Sequence, residues 1–311
     1  MKKKHNYLLL ILKGCGMGAA DVVPGVSGGT IAFISGIYEE LINSIKSIDM
    51  QAVKLLLKLQ FRGFWEKING NFLISILCGI GISIFSLAKL MTWLLTNHPI
   101  GIWSFFFGLI IASALLVSKQ ISKWDIFTIF SLAAGAVIAY TITVLTPSST
   151  PQTWWFVMFS GAIAICAMIL PGISGAFILL LMGQYGYLMT AVSEFNLKVI
   201  LVFAIGAVAG IISFSHLLSW LLKNYHNLTV ALLTGFMVGS LNKVWPWKQT
   251  METYIDRHGV EQVLVEKNIL PSSFNGEPLI GQAILLCLAG FFLIWGIEFI
   301  AARMQKEAKS K

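Results

Sequence analysis

The sequence predicts an all-α polytopic membrane protein with an inverted-topology repeat, each half a re-entrant helical hairpin plus three transmembrane helices. Three observations carry that expectation. Of 311 residues, 57% are hydrophobic and only 12% charged, with a mean hydropathy of +0.79, which excludes an ordinary soluble domain. Two apolar stretches are each broken by one motif, Pro24-Gly25-Val26-Ser27-Gly28 and Pro171-Gly172-Ile173-Ser174-Gly175. The segments that follow the first motif recur, in order, after the second.

The N-terminus, Lys2, Lys3 and Lys4 before an apolar run from Tyr7 to Leu12, has the outline of a signal peptide, and Leu12-Lys13-Gly14-Cys15 faintly resembles a lipoprotein cleavage box. Neither reading is adopted: a lysine is out of place in such a box, and residues 8–20 have a later counterpart that cannot be a cleaved leader. The stretch 7–44 is instead read as a hairpin. Each of its arms is too short for the ~20 residues needed to cross the hydrocarbon core. Irregular backbone at membrane depth is tolerated only where protein buries it or it lines a cavity.

Residues 50–68 read as an amphipathic helix on the inner leaflet, with Lys54, Lys58, Arg62 and Glu66 spaced by four and Leu55, Leu56, Leu59, Phe64, Trp65 and Ile68 between them. Spans follow at 72–96, 101–117 and 125–145, completing a first unit, 1–146. The second unit, 147–311, has a hairpin at 154–190, spans at 198–222, 228–244 and 280–302, and an outer loop at 246–279 whose mixed polar sequence says little.

Loop charges set the orientation. Lys46, Lys54, Lys58, Arg62 and Lys67, then Lys119 and Lys123, then Lys223, and finally Arg303, Lys306, Lys309 and Lys311 fall on one side; the turns 97–100 and 146–153 carry no formal charge. The positive-inside rule places the basic loops and both termini in the cytoplasm. The net charge of +8 is thereby explained without nucleic acid. Ten full spans would give the same loop sides, so charge leaves hairpins and spans unresolved. Cys15, Cys78, Cys166 and Cys287 stand singly in apolar surroundings and predict neither metal site nor disulfide, and nothing points to a cofactor. The oligomeric state is not legible.

Without gaps, Gly79–Ser113 aligns with Gly206–Ser240: Trp93-Leu94-Leu95 falls on Trp220-Leu221-Leu222, Asn97 on Asn224 and Gly108 on Gly235. Ala134-Gly135 then matches Ala289-Gly290. An odd number of spans per unit inverts the second unit, an arrangement typical of alternating-access transporters with broken helices near the midplane.

The motif suits an anion. Pro24 and Pro171 sit where a missing N–H costs little, and Gly25 and Gly172 permit a tight turn. After it, the amides of Gly28, Gly29 and Thr30 are expected to start a helix with unpaired donors, joined by the hydroxyls of Ser27 and Thr30; Ser174, Gly175 and Ala176 would do the same from the other unit. Such small residues also serve simply to pack helices closely. Ionisable groups at membrane depth are costly, which marks Lys13, Asp21, Lys89 and His216 as supporting or coupling residues. Lys89 and His216 occupy equivalent repeat positions, while Asp21 is matched by Met168. Lys89 can also snorkel, and His216 can serve as a packing residue. Two other readings remain. One is a transporter or channel for a small soluble anion. The other is a rhomboid-like intramembrane serine protease using Gly25-Val26-Ser27-Gly28 with His216, disfavoured because a nucleophile gains nothing from an inverted duplicate.

The stretches GMGAADVVPGVSGGTIAFISGIYEELI, ILPGISGAFILLLMGQYGYL and GSLNKVWPW resemble the bacterial polyprenyl-phosphate transporter family over nearly the whole chain. The departures are Ala176, where a small polar residue is common, and Gly186, where an acidic residue often follows the tyrosine. The resemblance implies a transporter rather than an enzyme. It implies translocation of undecaprenyl phosphate among membrane lipids, for recycling to the cytoplasmic leaflet. The two hairpin tips fit its headgroup, and the intramembrane placement of Asp21 and His216 points to proton or ion coupling through one of them.

Overall fold

A computed structural model describes residues 6–21, 27–147, 150–255 and 261–309. The expectations attached to Lys2, Lys3, Lys4, Pro24, Gly25 and Lys311 lie outside them. The first half contains α1 (Tyr7–Asp21), α2 (Gly28–Ile34), α3 (Tyr38–Lys46), α4 (Met50–Leu57), α5 (Phe61–Lys67), α6 (Gly70–Asn97), α7 (Pro99–Ser118) and α8 (Ile126–Val144). The second contains α9 (Trp154–Ile169), α10 (Gly175–Leu181), α11 (Tyr185–Ser193), α12 (Leu197–Asn224), α13 (His226–Ser240), strands β1 (Lys248–Ile255) and β2 (Glu261–Asn268), and α14 (Ile280–Lys309).

Among the described residues, α6, α7, α8 and α12 are long and apolar enough to cross a membrane. The chain is therefore a multi-pass membrane protein. The α8 face bearing Ile126, Phe127, Ile129, Phe130 and Val137 is exposed, as a lipid-facing surface is. At seven residues each, α2 and α10 rise only about 10 Å, far short of the ~30 Å hydrocarbon core. After each, a glycine with positive φ redirects the chain, Gly36 at 70° and Gly183 at 62°, and α10 meets α11 at a bend of 109°.

Three expectations change. The helix over 50–68 is two helices, because Leu59 takes φ 56° and the Gln60 amide closes back onto Leu55 O, ending α4. The span expected at 228–244 ends at Ser240, where a turn carries Asn242 and Lys243; α13 has 15 residues. The loop 246–279 is not featureless. It holds an antiparallel β1–β2 hairpin within a predominantly helical fold. That hairpin is seated by Trp247, which packs with Ile100 and Ala283 and donates to Pro278 O at 2.8 Å. Trp245 donates to Ile269 O at 2.9 Å.

The long helices pair as α1 on α6, α9 on α12, α7 on α14 and α8 on α13. Glycine sets the spacing, and the spacing repeats. A Cβ on Gly79 would collide with Ile11 O, and one on Gly206 with Met158 O. Ile11 and Met158 hold equivalent positions in the repeat, as do the two glycines. Likewise Gly135 lies against Leu232 O, and its counterpart Gly290 against Phe105 O, the counterpart of Leu232. Close backbone approach through small residues is how helices associate in lipid, where apolar burial supplies little drive. Gly79→Val is expected to lower the unfolding free energy of the detergent-solubilised protein by about 1–3 kcal/mol, whereas Gly81→Val, with nothing within 4 Å of its Cβ, leaves the melting temperature unchanged.

Candidate functional site

Both hairpins are capped by the serine of their motif. Ser27, in extended backbone at φ −124°, accepts from Gly29 N at 3.1 Å, and Ser174 accepts from Phe177 N at 3.4 Å. The other amides at the start of α2 also have acceptors. Gly28 N donates to Asp21 Oδ1 at 2.7 Å and Thr30 N to Ser27 O at 2.9 Å. The expectation of unpaired donors at Gly28, Gly29 and Thr30 therefore does not hold for this conformation: Asp21 and Ser27 satisfy them locally.

The two tips meet. Ser27 Oγ lies 3.0 Å from Met168 O and 3.1 Å from Leu170 O, so its single proton has two acceptors. Tyr38 Oη donates to Ile169 O at 3.2 Å, and Gly172 N donates to Thr30 Oγ1 at 3.1 Å. The carbonyls at the end of α9 are groups that no helix can satisfy internally, and the first hairpin supplies their donors. The contact is close and dry. Ser27 and Thr30 are each 1% exposed, and Gly29 sits against Ile169 O with no room for a Cβ. Gly172, at φ 84°, makes its turn against Phe236 O and Met237 of α13. Gly175 packs on Ala164 O, whereas Ala176 is exposed.

The four supporting residues divide. Asp21 stands at the tip, on the Gly28 amide. Lys13 does not: its Nζ donates at 2.7 Å to Ser35 O, the C-cap of α2, about 10 Å of helix from Gly28. Lys89 is exposed on α6, and His216 is exposed on α12 with Nδ1 2.9 Å from Ile212 O of its own helix. Neither bonds to the tips.

Two features escaped the sequence reading. A crevice of about 630 Å³ opens beside α3, lined by Tyr38, Glu39, Glu40, Asn43, Lys67 and Asn69 among others. Tyr38 thus links this crevice to the tips. The available signal was the recurrence of tyrosine at the equivalent position, Tyr185. The second feature is a basic cluster where the β-hairpin meets the bundle. Lys248 Nζ lies 3.6 Å from the Trp103 ring centroid, and Lys243 Nζ lies 4.6 Å from that of Phe177 on α10. Both ammonium groups reach Glu266 Oε2, at 3.4 and 3.6 Å respectively. Burial lowers the Lys248 pKa to about 8; the Glu266 charge opposes the shift and the Lys243 charge adds to it. Nothing local in the sequence pairs Glu266 with Lys243, because the two lie 23 residues apart and only the pairing of β2 with β1 brings them together.

Residues 17–262 match the family described as undecaprenyl phosphate translocase-like. A protein of Vibrio cholerae serotype O1, named polyprenyl-phosphate transporter, is 49% identical over 307 residues, covering 97% of this chain and 99% of that protein. A Staphylococcus aureus protein of the same name is 37% identical over 256 residues, covering 76% of this chain and 85% of that protein. No solved structure matches the chain.

The bonds between the hairpins are expected to matter for stability. Ser27→Ala and Tyr38→Phe should each lower the unfolding free energy by about 1 kcal/mol, and Thr30→Val by about 1–3 kcal/mol because it strands the Gly172 N–H. Ser86→Ala, which removes only a hydroxyl bonded to its own helix at Ile82 O, serves as the control in the same thermal unfolding series.

Proposed function

We propose that this chain, which belongs to the undecaprenyl phosphate translocase-like family, moves polyprenyl phosphate across the bacterial plasma membrane, returning the carrier lipid to the cytoplasmic leaflet. Its class is that of a transporter and not an enzyme. The protease reading loses its base as well: Ser27 Oγ rests on Met168 O and Leu170 O, while His216 is bonded to its own helix.

One observation carries the reading: the two tips satisfy each other across the break in the chain. Parting the hairpins takes acceptors from Ser27 Oγ, Tyr38 Oη and Gly172 N at once. A phosphate supplies acceptor oxygens in place of the carbonyls of Met168, Ile169 and Leu170, and hydrogen bonds to a charged acceptor are about twice as strong as neutral ones. Ser174 and Gly175 approach the same headgroup from the second hairpin, and Gly28, Gly29 and Thr30 from the first. The polyprenyl tail stays in lipid, so only the headgroup needs shelter. The two units act as inverted copies that rock about this point, a reading supported by the recurrence of the Gly79 and Gly135 contacts at Gly206 and Gly290. The termini are cytoplasmic.

Asp21 offers a coupling device. Its carboxylate already holds the Gly28 amide at 2.7 Å, and a carboxylate and a phosphate do not share that donor. Phosphate binding therefore requires Asp21 to move away or take up a proton, and proton uptake would couple transport to a proton gradient.

The test follows movement of a fluorescent polyprenyl phosphate between leaflets of proteoliposomes. Ser27→Ala combined with Tyr38→Phe is expected to slow it at least ~10-fold, from the loss of two bonds to a charged group. Asp21→Asn is expected to abolish the response to an imposed pH gradient. Wild-type rates in the double variant would overturn the tip site, and an unchanged gradient response would overturn the coupling role. Competition by soluble phosphate alone, without lipid movement, would favour a small-anion transporter.

A further inference from the structure

We propose that Lys243 and Lys248 form a separate phosphate-receiving site beneath the β-hairpin, and that Glu266 occupies it as a built-in competitor until an anionic headgroup displaces it. The inference rests on the reading that the chain carries a phosphate-headed lipid.

The cluster is held from three directions. Lys248 starts β1, Glu266 lies near the end of β2, and Lys243 follows α13. Trp103 of α7 places its ring beneath one ammonium and Phe177 of α10 beneath the other. Aromatic faces stabilise a desolvated cation without neutralising it, so both positive charges are preserved. They share one carboxylate oxygen, Glu266 Oε2. Two ammonium groups against one carboxylate leave an excess of one positive charge, and a phosphomonoester carries about −1.5 to −2 near neutral pH. Phosphate thus matches the pair better in charge than Glu266 does, and its several oxygens can serve both lysines at once.

Accessibility follows the same logic. Lys248 is 8% exposed, whereas Glu266, at 27%, is the most open of the three. The carboxylate that both ammonium groups share is thus on the more accessible partner, with Lys243 at 21% next. Position links the cluster to the tips. Phe177 lies three residues beyond Ser174, and α13, which ends just before Lys243, carries the Phe236 and Met237 backbone against which Gly172 turns. A headgroup held by the lysines is one short step along α13 from the second hairpin. The site lies on the face bearing the uncharged 97–100 turn, where a lipid in the outer leaflet would arrive.

A purely structural clip would look similar at rest, and the two differ in what removing Glu266 does. Full-length protein in nanodiscs is titrated with farnesyl phosphate, farnesol and inorganic phosphate. Glu266→Gln is expected to tighten farnesyl phosphate binding about 3- to 10-fold, and Lys243→Gln to weaken it about 10-fold. Lys243→Arg, which keeps the charge, is expected to stay near the wild-type value. Inorganic phosphate should show the same ordering, placing the effect on the headgroup. Size-exclusion profiles and melting temperatures identify variants that fold, and Lys243, the less buried lysine, keeps the test available if Lys248→Gln does not. Glu266→Gln that binds no tighter, or Lys243→Gln that binds as wild type, overturns this site. Wild-type protein that fails to distinguish farnesyl phosphate from farnesol overturns the substrate reading. A gain for inorganic phosphate in Glu266→Gln would then leave the lysine pair as a site for free phosphate.

Discussion

A helix broken inside a membrane exposes amides and carbonyls that lipid cannot satisfy, and every other feature of this fold follows from where those groups find partners. Each unsatisfied group at that depth costs several kcal/mol, so two broken helices cannot persist independently. Here they are solved together. Ser27 and Tyr38 of the first hairpin satisfy carbonyls at the end of α9, and Thr30 accepts the amide of Gly172. The paired long helices bring the hairpins to this meeting point, and their glycines set how near the backbones come. Parting the two elements at this junction would release several polar groups at once.

How much of this is legible in the sequence depends on whether the controlling interaction is local. The breaks at Ser27 and Ser174 are local, since serine at an N-cap before a run of small and apolar residues has few alternatives. The glycine spacing is legible because it occurs twice: Gly79 with Gly206, and Gly135 with Gly290, stand out once the halves are aligned. Partner identity is not legible. The free amides assumed at Gly28 and Gly29 are taken by Asp21 and Ser27, and only the fold shows that the chain closes there on itself. Lys13 is near Gly28 in sequence yet is held at the opposite end of α2 by Ser35 O. In β1 and β2 charged residues interrupt any strict alternation and sit opposite neutral partners, Lys248 on Asn268 and Glu252 on Val265, so the strands passed for loop. Leu59 gave no warning that it would adopt φ 56° and split the amphipathic segment.

The two halves share backbone contacts but not chemistry. Asp21 stands where the second half has Met168, so only one tip carries a carboxylate. Glu39 and Glu40 line the crevice beside α3, whereas the equivalents beside α11 are Gly186 and Tyr187. Among the described residues, strands occur in the second half alone, where Lys248 of β1 meets Lys243 after α13. The duplicated contacts set how the backbones pack, and the unduplicated residues set the chemistry that differs between the halves.

The same asymmetry extends to the residues just before Tyr38 and Tyr185. Beside α3 the crevice reaches Tyr38 and so approaches the tips. Beside α11 the corresponding space is filled: Gln184, fully buried, donates to Thr150 Oγ1 at 2.8 Å and to Pro151 O at 3.3 Å, and Thr150 in turn bonds to Met182 O. Ile37 is the counterpart of Gln184 and offers no such polar latch. Gln184 Oε1 has no partner, so its bonding is incomplete although the side chain is fully buried. Gln184 thus ties the segment before α9 to the start of α11, a tether that the first half does not have at Ile37.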